Sequence, residues 1–212
     1  MMAINDEQQL GKRREVSIPD ISDLANDAIE SRYGIGAVAG ATITAVEKGD
    51  GVVHKTVLTC TALPITITDE AAAGQFGGSK VYDFPAGLIM TLGAVIDGSV
   101  TAVAPIIATW DGDVALGTAA PTDHATGLVV ADTGRYLQST ATTQAVAFVG
   151  NVDAISIATG LTETAARCTD GTATALDLFL NLLIDDNAAH VGAMSATFTG
   201  TITIAWINLG DK

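Results

Sequence analysis

Aromatic side chains are scarce in this sequence. Phe, Trp and Tyr make up 5% of the residues, although hydrophobic residues as a whole make up 48%. A core must therefore be built from Ala, Val, Ile and Leu, with abundant Thr beside them. Thr, Val and Ile favour extended backbone because branching at Cβ restricts χ1, and the 22 glycines suit many tight turns. This composition predicts an all-β domain and argues against a carbohydrate site built on exposed aromatic rings.

Basic residues are also few. The chain carries 10 Lys and Arg residues against 24 Asp and Glu residues, for a net charge of −14. A polyanion such as DNA is repelled by this charge, and an anionic membrane surface is disfavoured for the same reason. The longest apolar stretches are short and are broken by Asp, Thr and Gly, so none predicts a membrane span. We expect neither nucleic acid nor a membrane as a partner.

Cysteine is limited to Cys60 and Cys168, far from the density of a disulfide scaffold. We interpret both as small buried apolar side chains. A disulfide needs Cα atoms within about 7 Å, which the sequence does not establish, so that alternative stays open. Residues 1–14 are polar and lack the apolar run of a secretory signal, so no signal peptide is expected.

Motifs for catalysis and metal binding are largely missing. Gly34, Gly36 and Gly40 have a spacing like that of a dinucleotide-binding loop, but they precede a predicted strand instead of following one, so we interpret them as a hinge. The histidines are isolated and have no metal-ligand spacing; they are His54, His124 and His190. We interpret them as surface or strand residues.

Two acidic pairs could offer oxygen ligands to calcium: Asp111 with Asp113, and Asp185 with Asp186. The twelve-residue calcium-loop pattern is absent, and Asp beside Gly is ordinary turn chemistry. Paired carboxylates perform acid–base work only where burial drives their pKa values apart, and nothing in the sequence indicates such burial. We therefore predict no cofactor, no metal and no enzymatic activity, with a calcium site as the alternative.

The first 33 residues differ in texture from the rest. After a charged, aperiodic start, Ile21, Leu24, Ala25 and Ala28 fall at i, i+3, i+4 and i+7, which predicts a short amphipathic helix. A helix this short is marginal alone and needs a surface to dock on. We therefore predict that residues 1–33 form an arm whose apolar stripe docks on its own body or on a partner.

From residue 34 onwards the pattern is one of strands and turns. Strands are predicted at 41–47, 52–62, 64–69, 80–84, 88–95, 96–103, 106–110, 114–116, 145–149, 153–157, 175–186 and 197–209. A hairpin turn is predicted at 48–51, and further breaks at 85–87, 97–98 and 111–112. Many short strands without alternating helices favour a jelly-roll-like antiparallel β-sandwich over residues 34–212.

The last two strands give the clearest alternation. In 175–186, Leu or Ile occupies every second position from 176 to 184. Asp177, Asn181 and Asp185 lie on the opposite side, which Phe179 and Leu183 share. In 197–209 an apolar face opposes a row of threonines. Such alternation predicts one face against a core and the other partly wet. The residues predicted to be buried are Leu176, Leu178, Leu180, Ile202, Ile204 and Trp206.

Three segments resemble one known class of proteins. They are KVYDFPAG at 80–87, WDGDVALGT at 110–118 and IAWINLG at 204–210. In order and spacing, the chain from about residue 52 resembles the decoration or cement proteins on the heads of tailed bacteriophages. The resemblance implies a jelly-roll-like body, a homotrimer, and binding to the major capsid protein on the outside of the virion, after synthesis in the host cytoplasm.

On this basis we expect a structural virion protein that stabilises a capsid lattice, with its arm docked on a neighbouring subunit or on the capsid. The alternative within a virion is a tail, neck or fibre component, or a receptor-binding β-sandwich. A bacterial surface adhesin is a third interpretation, but it would require a signal peptide. The arm residues expected to bind the partner are Ile21, Leu24, Ala25 and Ala28.

Overall fold

A computed structural model describes residues 37–38, 40–49, 53–69, 74–102, 112–123, 136–141, 143–146, 149–156, 168–184 and 194–210. These residues form twelve strands and contain no helix. The strands are β1 Ala37–Val38, β2 Ile43–Gly49, β3 Val53–Asp69, β4 Gln75–Asp83, β5 Gly87–Ala102, β6 Gly112–Gly117, β7 Leu137–Ala141, β8 Thr143–Val146, β9 Val149–Ser156, β10 Cys168–Gly171, β11 Asp177–Ile184 and β12 Met194–Asn208.

All twelve strands belong to one antiparallel sheet. Its order is β7-β6-β11-β4-β3-β12-β5-β9-β8, with β2 paired to β3, β1 to β4 and β10 to β5. The sheet curls strongly, in the manner of a half-barrel, so that β7 from one end of this order approaches β9 near the other end. The predicted all-β, antiparallel fold is confirmed at this level. The predicted arm, residues 1–33, lies outside the described residues.

The inner face of the curl holds one hydrophobic core, because alternate residues of each long strand point into it. On β12, Ile202, Ile204 and Trp206 are fully buried, as predicted, and Phe198 on the same face is fully buried too. Leu178 and Leu180 on β11 are fully buried too, and Leu176 is partly buried against the same core. Burial of these side chains supplies the main apolar stabilisation of the sheet.

The break predicted at Asp97-Gly98 is wrong, because β5 runs without interruption through it. Gly98 pairs with Gly200 of β12 at a point where the two backbones come unusually close. A Cβ atom at Gly98 would lie 2.5 Å from the Thr199 carbonyl oxygen and 2.8 Å from the Gly200 Cα. The glycine is therefore required for strand contact and not for a turn.

Two predicted strands, 52–62 and 64–69, form the single strand β3. Its pairing with β12 shifts register between Phe198 and Gly200, which leaves Ala62 at φ 50°, a left-handed conformation uncommon for a residue with a Cβ. The Ala62 amide donates to Thr199 Oγ1 at 3.1 Å, so a side chain of β12 fills the gap in the ladder. The bulge bends the strand without ending it.

The outer side of β11, to which Asn181 was assigned, was predicted to be partly wet, and at Asn181 the structure shows burial instead. Asn181 is fully buried, and its Nδ2 donates to the Ala119 carbonyl at 2.8 Å. Residues 118–123 lie over this position, since a Cβ at Gly78 would be 3.1 Å from both Ala120 Cβ and Pro121 Cδ. A loop that follows β6 therefore covers part of the outer face.

Replacing Gly98 with Ala tests the close approach of β5 and β12. The added methyl group would push the two strands apart, and we expect a loss of about 2 kcal/mol in the free energy of unfolding. Urea unfolding followed by Trp fluorescence measures it. Ser99→Ala, one residue along the same strand, is the control and should change stability far less; equal effects of the two substitutions would contradict this explanation.

Candidate functional site

The predicted site residues of the arm, Ile21, Leu24, Ala25 and Ala28, lie outside the described residues. The same holds for Asp111, Asp185, Asp186, His124 and His190, while Asp113 lies half-buried on β6. Within the described part of the chain, no group of three or more His, Cys, Asp or Glu side chains is placed to hold a metal ion. Nor does that part contain a helix long and apolar enough to cross a membrane.

Strand alternation places His54 on the inner face of the sheet, together with Thr56 and Leu58. His54 is 3% exposed, and its ring stacks on that of Trp206 with centroids 4.0 Å apart and planes 8° from parallel. The register explains the contact, because Trp206 of β12 lies directly opposite His54 of β3. His54 was predicted to be a surface or strand histidine; it is a strand histidine, and it is buried.

Glu47 of β2 connects this histidine to β4. Its Oε1 lies 2.8 Å from His54 Nδ1, and its Oε2 accepts a hydrogen bond of 2.5 Å from the Tyr82 hydroxyl. Trp206 Nε1 donates to Thr56 Oγ1 at 2.9 Å. One carboxylate therefore joins side chains of three strands, and His54 Nδ1 and Trp206 Nε1 of the ring stack both have hydrogen-bond partners.

Aromatic rings continue the cluster across the core. Phe84 meets Trp206 edge to face at 5.3 Å, Tyr82 at 5.4 Å and Tyr136 at 5.8 Å. Offset and edge contacts of this kind are favourable beyond the area they bury. Four aromatic residues, Tyr82, Phe84, Tyr136 and Trp206, therefore lie together on the inner face. We call Glu47, His54, Tyr82, Phe84, Tyr136 and Trp206 the aromatic cluster.

Two of the three segments that carry the sequence resemblance meet at this cluster. Segment 80–87 contributes Tyr82 and Phe84 to it, and segment 204–210 contributes Trp206. The Asn208 amide donates to the Ala86 carbonyl at 3.1 Å, and its Oδ1 accepts from the Gly210 amide at 2.8 Å. Segments 80–87 and 204–210 therefore pack together as one unit of the body.

A carboxylate bonded to an imidazole is the arrangement that activates a histidine as a general base. In this cluster the His54 ring is 3% exposed and stacks on Trp206. A substrate therefore has no path to Nε2, which is buried. Within the described residues Nε2 makes no hydrogen bond to a nucleophile. The geometry fits a structural latch better than a catalytic dyad.

The outer face of the same strands carries a different surface. Register pairs Val46 with Val57, and Lys48 with Lys55, and it places Ala205 beside Lys55. Val46 is 56% exposed and Val53 is 43% exposed. We call Val46, Lys48, Val53, Lys55 and Ala205 the outer patch.

A shallow depression of about 350 Å³ lies at the outer patch. It is lined by four patch residues, Lys48, Val53, Lys55 and Ala205, and by Gly49 and His54. The exposed side chains of Leu92 and Leu209, on the neighbouring β5 and at the end of β12, add further apolar area. Neither lysine makes an ion pair with another described residue. The patch is thus apolar and locally basic on a chain whose net charge is −14.

Lys80, by contrast, makes ion pairs with two described carboxylates. Asp83 of β4 and Asp177 of β11 lie directly opposite each other, which alone would be repulsive. Lys80 Nζ lies 2.5 Å from Asp83 Oδ1 and 3.1 Å from Asp177 Oδ1. The hydrogen bond to Asp83 raises the pKa of the Lys80 ammonium group. This bridge joins the ends of two strands, so among the described lysines only Lys48 and Lys55 lack an ion pair with another described residue.

Comparison with protein-family models, with curated proteins and with solved structures finds no match for this chain.

Sequence reasoning missed the aromatic cluster and the outer patch. The alternation that buries Leu58 and Cys60 also buries His54 four and six residues earlier, so the signal for His54 was present in 52–62. Glu47 gave no such signal, because its partner Tyr82 lies 35 residues away and on a strand that does not pair with β2.

Replacing Glu47 with Ala should destabilise the protein by about 3 kcal/mol, because buried polar groups of His54 and Tyr82 lose their shared acceptor. Glu47→Gln keeps the shape and one acceptor, so roughly half of that loss is expected. Denaturant unfolding measures both. Lys48→Ala, at the exposed neighbouring position, is the control and should change stability by less than about 0.5 kcal/mol. A Glu47→Ala protein as stable as this control would show that the hydrogen bonds of Glu47 to His54 and Tyr82 do not stabilise the fold.

The two thiols are expected to differ in reactivity. Both cysteines are free, and Cys60 is 1% exposed whereas Cys168 is half-buried, so Cys60 alone matches the buried role predicted for both. Burial raises the pKa of the Cys60 thiol from 9.0 to about 11, so it stays protonated at pH 8 and is a poor nucleophile. Burial favours the protonated thiol, and that stabilisation is lost as the pH rises from about 9 towards 11.

Titration with a disulfide reagent at pH 8 should therefore modify Cys168 first and Cys60 only on unfolding. In a Cys168→Ser protein, native reactivity should nearly vanish and return to one thiol in denaturant. Rapid modification of the native Cys168→Ser protein would show that Cys60 is accessible.

Proposed function

We propose that this chain is a structural virion protein that binds the outer surface of a bacteriophage capsid lattice and stabilises it. The observation that carries the proposal is the outer patch, an exposed apolar surface on a sheet whose inner face is already filled. Its two lysines, Lys48 and Lys55, make no ion pair with another described residue. Such a patch is typical of protein–protein contact sites. A partner with acidic groups around an apolar area would complement it in both charge and polarity.

Decoration of a lattice requires binding and no reaction. A protein that binds only the assembled shell stabilises that shell by mass action. This agrees with the aromatic cluster, where the one carboxylate–imidazole pair of the described residues lies in a closed interior. It also agrees with the resemblance at 80–87 and 204–210, since those two segments belong to one packed unit of the body.

The finer features of the proposal follow from the resemblance. They are a jelly-roll-like connection of the curled sheet, a short helix in the arm, a homotrimer, and the major capsid protein as partner. In this proposal the arm residues Ile21, Leu24, Ala25 and Ala28 add contact area on the lattice, as segments that order on binding often do.

Sedimentation with capsids tests the function directly. The capsids are assembled from the major capsid protein of the same genome and lack this chain. A protein with both Val46→Asp and Val53→Asp should bind at least about tenfold more weakly, because two charges enter an apolar contact. The positions are exposed, so the fold should be retained.

The matched control is a protein with both Thr44→Asp and Thr59→Asp. These residues are exposed, lie opposite each other on the same face of the same two strands, and add the same charge outside the patch. The control should bind almost as tightly as the unchanged protein. Failure of the unchanged protein to sediment with capsids would overturn the function, and equal binding of both double variants would overturn the role of the patch.

A further inference from the structure

The N-terminal segment enters the sheet beside the outer patch. Strand β1 pairs with β4, with Ala37 opposite Asp83 and Val38 opposite Tyr82, and it also lies against β2. The Tyr82 hydroxyl reaches Glu47 of β2, and the next residue of β2 is Lys48. The chain before Ala37 therefore starts next to the strand that carries two residues of the patch.

The length of this connection allows the arm to reach the patch of its own chain. The six residues 31–36 span at most about 20 Å when extended. Neighbouring strands are about 5 Å apart, so β2, β3 and β12 all lie within that reach. A tethered segment also has an effective concentration of about 1 mM for a site within reach, which a second molecule attains only at high protein concentration.

The chemistry of the arm complements that of the patch. The apolar residues of segment 18–30 are interspersed with acidic residues, namely Asp20, Asp23, Asp27 and Glu30, and residues 15–31 contain no Lys or Arg. The patch offers the reverse, with Lys48 and Lys55 beside an apolar area and a shallow depression. Apolar contact would be joined by opposite charges at its rim, which favours association at little desolvation cost.

We propose that, in the free protein, residues 18–30 dock on the outer patch of their own chain. Docking covers the apolar area before assembly, and the capsid lattice then competes with the arm for the same surface. This rests on the proposed function only for the identity of the competitor; the intramolecular contact is a property of the free chain.

The test uses the full chain in solution without capsids. Acetylation of lysines is followed by mass spectrometry for the unchanged protein and for Leu24→Asp. Charge in the apolar stripe should release the arm and raise the acetylation rates of Lys48 and Lys55 roughly tenfold, the factor expected when one leucine contact is lost from an open–closed equilibrium. Lys80 lies on β4, outside the patch, and is held by Asp83 and Asp177. Its acetylation rate reports on the body and should be the same in both proteins.

The control variant is Asn26→Asp, which adds the same charge on the opposite side of the predicted helix. It should leave both lysines protected. Carbodiimide cross-linking of a mixture of isotopically light and heavy chains identifies the partner of the arm. Bonds between Lys48 or Lys55 and the acidic residues of 18–30 should join light to light and heavy to heavy.

Two results would overturn the inference. Equal acetylation of Lys48 and Lys55 in the unchanged and Leu24→Asp proteins would show that the arm does not cover the patch. Cross-links that join light to heavy chains would show that a second copy occupies it. Either result leaves the capsid sedimentation assay to decide the proposed function separately.

Discussion

The pairing of β12 with β3 on one side and β5 on the other is the interaction on which the rest of the body depends. It places Ile202, Ile204 and Trp206 at the centre of the inner face and sets the register of both neighbours. The two interruptions of this register increase the local twist, since a bulge bends its strand. One interruption lies between Phe198 and Gly200 in the pairing with β3, and the other lies between Ala205 and Trp206 in the pairing with β5.

The strands β2, β3 and β12 present two surfaces of opposite character. The inner side is closed by a hydrogen-bonded carboxylate and stacked rings, and its polar groups stabilise the hairpin of β2 and β3 against the core. The outer side presents valines and lysines. Since one strand carries Glu47 inward and Val46 and Lys48 outward, the latch that fixes β2 also holds the proposed binding surface rigid.

Local patterns in the sequence predicted the parts of the fold that local patterns control. Alternation correctly predicted the buried faces of β11 and β12. Turn residues correctly predicted that the chain reverses between β2 and β3, which pair antiparallel, although Lys48 and Gly49 of the predicted turn belong to β2. Local patterns failed where contact with a distant segment determines the structure. Gly98 resembles a turn residue until its contact with Gly200 is known, and Asn181 resembles a wet position until the loop at Ala119 covers it.

The central place of β12 also has a consequence for the order of folding. Its partners β3 and β5 end at residues 69 and 102, whereas β12 begins at residue 194. On the ribosome the first half of the body would wait, with two long strand edges unpaired, until the last strand emerges. Long-range pairing of this kind makes folding slow and leaves exposed edges prone to association. The edges of β3 and β5 that pair with β12 therefore stay exposed until β12 is synthesised.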